Sequence, residues 1–336
     1  MDLLKQISLR AKGSGRTIVL PEGQDPRVIK AANLAVQESV AKIIVLGTPE
    51  EISFSENAAG MKLAEAVQVI DYTKDALLET LAEAFYEKRK AKGMTLEEAR
   101  QALLDKRIFF GAMMLDINLA DGLVAGSIAS TGDMLRAAFQ CVGTAPGIKL
   151  ASSTFLMGLR EPTAAGDEVI CFADCAVNPC PTAEQMVDIA LATARTYRSL
   201  IGKQPKVAFL SFSSKGSAKH ELVDKVAKAA EMTRAKFEEL HFDAIVDGEI
   251  QADAAIIPAI AVQKNPGGAI KGDANVLIFP DLQSGNICYK LVQRLGGATA
   301  FGPVVQGVAK PINDLSRGCS AEDIYANICL TVGQTL

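Results

Sequence analysis

Histidine is nearly absent from the 336 residues, with only His220 and His241, and the seven cysteines include no C-x-x-C pair. A zinc centre needs several nitrogen or thiolate ligands at short, regular spacing, so Cys171, Cys175 and Cys180 are read as three thiols and no metal site is expected. An odd number of cysteines in a long chain without an export signal points to reduced thiols rather than disulfides. Long hydrophobic runs are missing too: stretches such as Ile256 to Val262 fall far short of the ~20 residues that cross a bilayer. The opening MDLLKQISLRAKG has no apolar signal-peptide core. A cytoplasmic protein with no membrane partner is expected. Charge of either sign is not in excess, with 35 Lys+Arg against 39 Asp+Glu and a net charge of −4, which argues against nucleic acid or an anionic surface as the principal partner. Internal repeats, low-complexity tracts and charge blocks are likewise absent.

What is present is a chain able to build a core, with 49% hydrophobic and 22% charged residues. Its length exceeds what one core grows to efficiently, so two domains with a cleft between them are expected. RTIVL, then RVIKAANLAVQES, then KIIVL (residues 16–46) read as strand, helix, strand, with Asp25 suited to the N-cap and Pro26 to the first helical position. The alternation recurs at GLVAG, EVICFADCAV, KVAFLSFS, FDAIVDGE and NVLIFPDL, each followed by a helix-like segment. Near-continuous apolar strands between helices predict an α/β fold of two αβα domains with parallel-rich sheets. Turn-rich breaks at 144–149 and 300–303 place a first, discontinuous domain at 1–147 plus 302–336 and a second at 148–301.

Ligands of such sheets sit at the carboxyl ends of strands, where the next helix offers unpaired N–H groups. Three loops have that form. Residues 127–136 carry Ser130, Thr131, Gly132 and Arg136, hydroxyls, a close-approach glycine and a cation suited to phosphate; alternatively Thr131 is an ordinary N-cap and Arg136 a solvated helix residue. SFSSKGSA (211–218) resembles a phosphate cradle but lacks the Walker spacing, and no G-x-G-x-x-G opens a helix, so neither an ATPase nor a dinucleotide-dependent oxidoreductase is indicated. The third, residues 307–323, places Ser316, Arg317 and Gly318 together, a hydroxyl, a planar cation and a flexible backbone suited to an anionic oxygen or a developing oxyanion. Ser320 and Asp323 also fit a capping box ahead of an apolar run, so Asp323 has a purely structural reading as well.

Taken together, TIVLPEGQDPRV, ADGLVAG with STGDMLR, SFSSKGSA, DGEIQADAA, NVLIFPDLQSGNICYKLVQRL and above all QGVAKPINDLSRGCSAEDI resemble the phosphotransacetylase family nearly end to end. The match thins at 53–79 and 157–168. The resemblance implies a two-domain fold like the isocitrate and isopropylmalate dehydrogenases, with the C-terminal tail completing the first domain, an active cleft between domains and a homodimer. It implies reversible acetyl transfer between coenzyme A and inorganic phosphate, with acetyl-CoA, CoA, phosphate and acetyl phosphate as small-molecule substrates and no tightly bound cofactor. By the same transfer Asp323 matches the base that deprotonates the coenzyme A thiol, Ser316 the serine that stabilises the transition state, and Arg317 the arginine that binds phosphate. Arg89, Arg136 and Arg294 resemble arginines lining the substrate cleft. A butyryltransferase, and a non-catalytic acyl-CoA-binding module, are the alternatives it leaves open. An acetyl-cysteine intermediate on Cys319 is the competing mechanism to direct transfer.

Overall fold

The computed structural model describes residues 3–336. In chain order the elements are α1 (Leu3–Ala11), β1 (Thr17–Leu20), α2 (Pro26–Gln37), β2 (Lys42–Leu46), α3 (Pro49–Ala59), β3 (Gln68–Ile70), α4 (Leu77–Arg89), α5 (Leu96–Asp105), α6 (Arg107–Asp116), β4 (Gly122–Ala125) and α7 (Thr131–Ala137). There follow β5 (Ser152–Gly158), β6 (Val169–Ala173), α8 (Ala183–Ile201), β7 (Lys206–Leu210), α9 (Glu221–Glu239), β8 (Ile245–Ile250), α10 (Ala252–Ile256), α11 (Pro258–Lys264), β9 (Val276–Ile278), α12 (Leu282–Arg294) and β10 (Thr299–Gln306). β11 (Ile312–Asp314) and α13 (Ala321–Gln334) come last. The chain divides into two compact units, residues 1–146 with 308–336, and residues 147–307. The second limit lies six residues beyond the expected one at 301, because Gly302 and Pro303 sit inside β10 rather than ahead of it.

The first unit holds a five-stranded sheet of order β11-β4-β1-β2-β3, parallel at every pairing. β4 is buried throughout, as a strand covered on both faces must be. On one side α6 is apolar around its whole circumference, with 108–115 buried, and packs among α4, α5 and α7. α13, buried over 324–333, contacts α1, α2 and β4. Helix starts are set by local chemistry: Asp25 accepts from the Arg27 N–H with Pro26 at the first position of α2, and capping boxes close the starts of α3, α5, α8 and α13.

The second unit is a six-stranded sheet of order β10-β5-β6-β9-β7-β8. β6, β9, β7 and β8 are parallel, whereas β5 runs antiparallel to both β6 and β10. The antiparallel part carries its own pattern, since the short connection from β5 to β6 has no crossover helix. β3, β5, β10 and β11 are strands that the periodicity does not single out, being short, part-exposed or polar.

Gly285 is the only fully buried residue of α12, and a Cβ there would stand 2.5 Å from the Asp174 carbonyl oxygen and 3.1 Å from Cys175 Sγ. Alanine would improve helix propensity by up to about 1 kcal/mol, but overpacking against backbone costs roughly 1–3 kcal/mol. Gly285→Ala is therefore expected to lower the urea midpoint of unfolding; an unchanged or higher midpoint would show that α12 shifts without penalty.

Candidate active site

Parallel pairing of β11, β4 and β1 brings the segments that follow them side by side at one end of the first unit's sheet. Glu22, just after β1, is 2% exposed and fastens the segment after β4. Its Oε2 accepts from Gly126 N (2.9 Å), Ser127 N (2.9 Å) and Ser127 Oγ (2.8 Å), and its Oε1 from Ile128 N (3.1 Å) and Ala129 N (2.8 Å). A buried carboxylate stays charged only with donors of this kind around it, and the loop in turn has its N–H groups satisfied. Gly126 has φ +111°, and a Cβ there would lie 2.2 Å from Asp314 Oδ1, so glycine is required at this crossing.

Asp314, the last residue of β11, is buried and accepts from the Thr131 hydroxyl (2.7 Å) and from Leu315 N (3.1 Å). Burial foremost, with the Glu22 carboxylate adding to it, pushes the Asp314 carboxyl up to about 6, against the opposing pull of those two donors. The cap of α7 is Ser130, not Thr131: Ser130 Oγ accepts from Asp133 N (3.1 Å) and donates to Asp133 Oδ2 (2.9 Å). The helix starts one residue earlier than the alternative reading supposes, which releases the Thr131 hydroxyl to reach Asp314.

The turn between β11 and α13 is tied down by Arg27, in the first turn of α2. Its Nη1 donates to the carbonyls of Arg317 (2.9 Å) and Cys319 (2.7 Å), and its Nη2 to the carbonyl of Ser127 (3.0 Å) and to Asp25 Oδ2 (2.6 Å). Burial by itself raises the Asp25 carboxyl, yet the Arg27 guanidinium and N–H outweigh it and hold the group below its ordinary value. Within the turn, Gly318 N donates to Ser316 Oγ (3.3 Å). Ser320 N donates to Asp323 Oδ2 (2.9 Å) and Asp323 N to Ser320 Oγ (3.0 Å), completing the box at the start of α13. Ser316, Arg317 and Asp323 are all exposed, and the Arg317 guanidinium has no partner among the described residues.

Six of the eight residues singled out from sequence, Ser316, Arg317, Asp323, Ser130, Thr131 and Arg136, thus lie on the two segments joined by Asp314, Glu22 and Arg27. Arg136 is turned back on its own helix, donating to the Gly132 carbonyl and Asp133 Oδ1, both at 3.1 Å. Asp133 also pairs with Lys106, beside a hollow of about 260 Å³ lined in part by Glu22, Gln24, Ile128 and Ala129. Arg89 ends α4, half-buried near Cys141, with its Nε buried and unpartnered and no bond to the residues above. Arg294 belongs to the second unit, exposed at the end of α12. Glu22, Arg27 and Asp314 were not singled out; for Glu22 and Asp314 the signal available was a carboxylate at the end of a strand, IVLPE and IND.

The 211–218 loop is occupied by the chain's own carboxylate. Glu249, 5% exposed, accepts from Ser213 Oγ (3.0 Å) and Gly216 N (2.6 Å), and Lys215 pairs with buried Asp247. Its hydroxyls and N–H groups serve this internal anion rather than an open phosphate cradle. Among the described residues no three His, Cys, Asp or Glu converge as metal ligands. Burial pushes the Cys171 thiol up to about 12 and Cys175 well above its ordinary value, while Cys180 is exposed.

The family described as "Phosphate acetyl/butaryl transferase" matches residues 2–332. The chain is 49% identical over 335 residues to the phosphate acetyltransferase of Thermoanaerobacterium thermosaccharolyticum, covering 99% of each protein. The solved EutD phosphotransacetylase from Staphylococcus aureus aligns with a TM-score of 0.92 at 42% identity, covering 100% of this chain and 98% of that one. At 11% identity, a putative 4-hydroxythreonine-4-phosphate dehydrogenase from Salmonella typhimurium still aligns with a TM-score of 0.54 over 96% of this chain and 99% of its own, a likeness of fold alone.

The raised Asp314 carboxyl has a stability consequence. With a folded value of about 6 against an ordinary 3.8, the folded state holds this proton more tightly than the unfolded chain, so stability from this group is greatest below 3.8 and falls as pH rises towards 6. The loss amounts to roughly 3 kcal/mol at most. Asn at 314 removes the titration while keeping polar atoms opposite Thr131. Denaturation of Asp314→Asn and the native chain between pH 4 and 7 should show the variant gaining relative stability as pH rises; a flat difference would contradict the assignment.

Proposed function

The chain belongs to the phosphate acetyl/butyryl transferase family, and we propose that it moves an acetyl group reversibly between coenzyme A and inorganic phosphate by direct attack in a ternary complex. It is an acyltransferase, with coenzyme A as a substrate rather than a resident cofactor. The observation that carries the mechanism is the turn at 316–323, where an exposed hydroxyl, an unpaired guanidinium and a carboxylate with one free oxygen occur within eight residues.

A coenzyme A thiol of ordinary pKa, near ~8.5, is mostly protonated at neutral pH, and the thiolate is the nucleophile. Asp323 is the base. Its Oδ2 is held by Ser320 N, leaving Oδ1 without a partner among the described residues to take the proton. The thiolate attacks the carbonyl carbon of acetyl phosphate, the carbon–oxygen bond to phosphate breaks, and the departing phosphate is held by Arg317. Ser316 Oγ accepts from Gly318 N, so its own hydrogen remains to be donated to the oxyanion. Ser130, Thr131 and Arg136 bind substrate from the neighbouring segment, and Arg89 serves the same anionic substrates. Direct transfer is favoured over an acetyl-cysteine because Cys319 is 8% exposed and burial pushes its thiol up, away from the thiolate form.

A homodimer is supported by an apolar stripe on α12. Ile287, Leu291 and the following Leu295, four residues apart, are 57%, 51% and 83% exposed, and burying such a face against a second copy removes it from water. No described helix is long and apolar enough to cross a membrane, and a cytoplasmic place in acetate metabolism fits the reaction.

Phosphate-dependent release of free thiol from acetyl-CoA, measured beside butyryl-CoA, tests the reaction and its acyl preference. Ser316→Ala is expected to slow turnover on the order of 100 to 1,000-fold, and Asp323→Asn at least ~100-fold. A loss below about tenfold would remove Ser316 from its role. Faster release from butyryl-CoA would reassign the acyl group, and no release from either, with folded protein, would leave an acyl-CoA-binding module. Leu291→Glu is expected to shift sedimentation from dimer to monomer; an unaltered dimer would place the interface elsewhere.

A further inference from the structure

A guanidinium has five N–H donors in a rigid planar fork. Arg27 uses the whole fork within the chain: Nε on Asp25 Oδ1 (3.0 Å) and Oδ2 (3.1 Å), Nη1 on the carbonyls of Arg317 and Cys319, Nη2 on Asp25 and the Ser127 carbonyl. No donor is left for a substrate, which separates Arg27 from the unpaired Arg317.

The two carbonyls matter because of what lies across each peptide. A trans peptide is planar, with C=O and N–H on opposite sides. The peptide that begins with the Arg317 carbonyl ends in the Gly318 N–H, which donates to Ser316 Oγ, and the one that begins with the Cys319 carbonyl ends in the Ser320 N–H, which donates to Asp323 Oδ2. Arg27 therefore grips the oxygen side of both planes whose nitrogen sides hold the hydroxyl and the carboxylate. A cation at the oxygen also polarises the amide and strengthens its N–H as a donor.

We propose that Arg27 is a positioning residue for acyl transfer, setting the Ser316 hydroxyl and the Asp323 carboxylate through peptides 317–318 and 319–320. This rests on the roles of Ser316 and Asp323 given above. Its geometry differs from a general stabilising contact in acting on two side chains at once, through the backbone, without touching either.

The test combines Arg27→Gln and Arg27→Lys with Ser316→Ala and reads both kinetics and amide exchange. Lysine keeps the charge but has too few donors, in the wrong geometry, to span three carbonyls and Asp25. For either variant kcat is expected to fall at least ~30-fold while KM for acetyl-CoA and for phosphate changes by less than about threefold. On the Ser316→Ala background the same substitution is expected to cost less than about tenfold, because part of its effect passes through Ser316. Exchange of the Gly318 and Ser320 amides in the full chain should speed up at least ~10-fold in Arg27→Gln and stay unchanged in Arg317→Gln. Unaltered exchange at both amides, independent kinetic effects, or a change confined to KM for phosphate would overturn the proposal. Should the native chain release no thiol with phosphate, the functional reading falls, and the exchange result alone decides whether Arg27 sets the two peptides. If Arg27→Gln does not fold, Arg27→Lys carries both measurements.

Discussion

A carboxylate at the end of a buried strand is unfavourable by several kcal/mol unless donors replace the water it has lost, and Glu22 meets that demand with four backbone N–H groups and a hydroxyl from one loop. The bond works in both directions. Glu22 has its lost water replaced by these donors, and residues 126–129 are wrapped around it in a single conformation. From that wrapping follow the tight crossing of Gly126 over Asp314, the reach of Thr131 to Asp314, and the position of the Ser127 carbonyl under Arg27. The turn that carries Ser316, Arg317 and Asp323 is built on top of these contacts.

The second unit repeats the device with other residues. Glu249 collects Ser213 and Gly216, and Asp174 collects the N–H groups of Ala176, Val177 and Asn178 together with the Ser153 hydroxyl. Asp247 takes the N–H groups of Gly248 and Ile270, the Asn265 amide and the Lys215 ammonium. The serine- and glycine-bearing loops at 126–129 and 213–216 are thus both anion sites, filled by Glu22 and Glu249. What such a loop does not declare by its residues is whether the anion is the protein's own side chain or a ligand.

That ambiguity marks the limit of what sequence conveys here. The alternation of apolar strands and periodic helices is legible because burial on both faces imposes it, as are the Asp25 cap with Pro26 and the Ser320–Asp323 box, which depend only on neighbours. β3, β11 and the antiparallel pair β5 and β10 are not, because short or partly polar strands take their partners from distant segments. The LSRG turn is legible as a cluster of suitable groups. Arg27 is not, since its worth lies in carbonyls 100 to 292 residues away in the chain, and carbonyls look alike in every sequence. Ser130 and Thr131 both suit a cap, and only the presence of Asp314 decides between them.

The connectivity of the first unit also has a temporal side. Residues 308–336 follow the whole of the second unit in the chain, yet they supply β11 and α13 to the first. During synthesis, which runs from the N-terminus, β4 waits with one hydrogen-bonding edge open while the second unit is being made. The turn bearing Ser316, Arg317 and Asp323 is formed only when β11 docks on that edge. Completion of the sheet and formation of the turn at 316–323 are thereby a single late event, and a polypeptide interrupted before it carries Thr131 without the Asp314 carboxylate that its hydroxyl reaches.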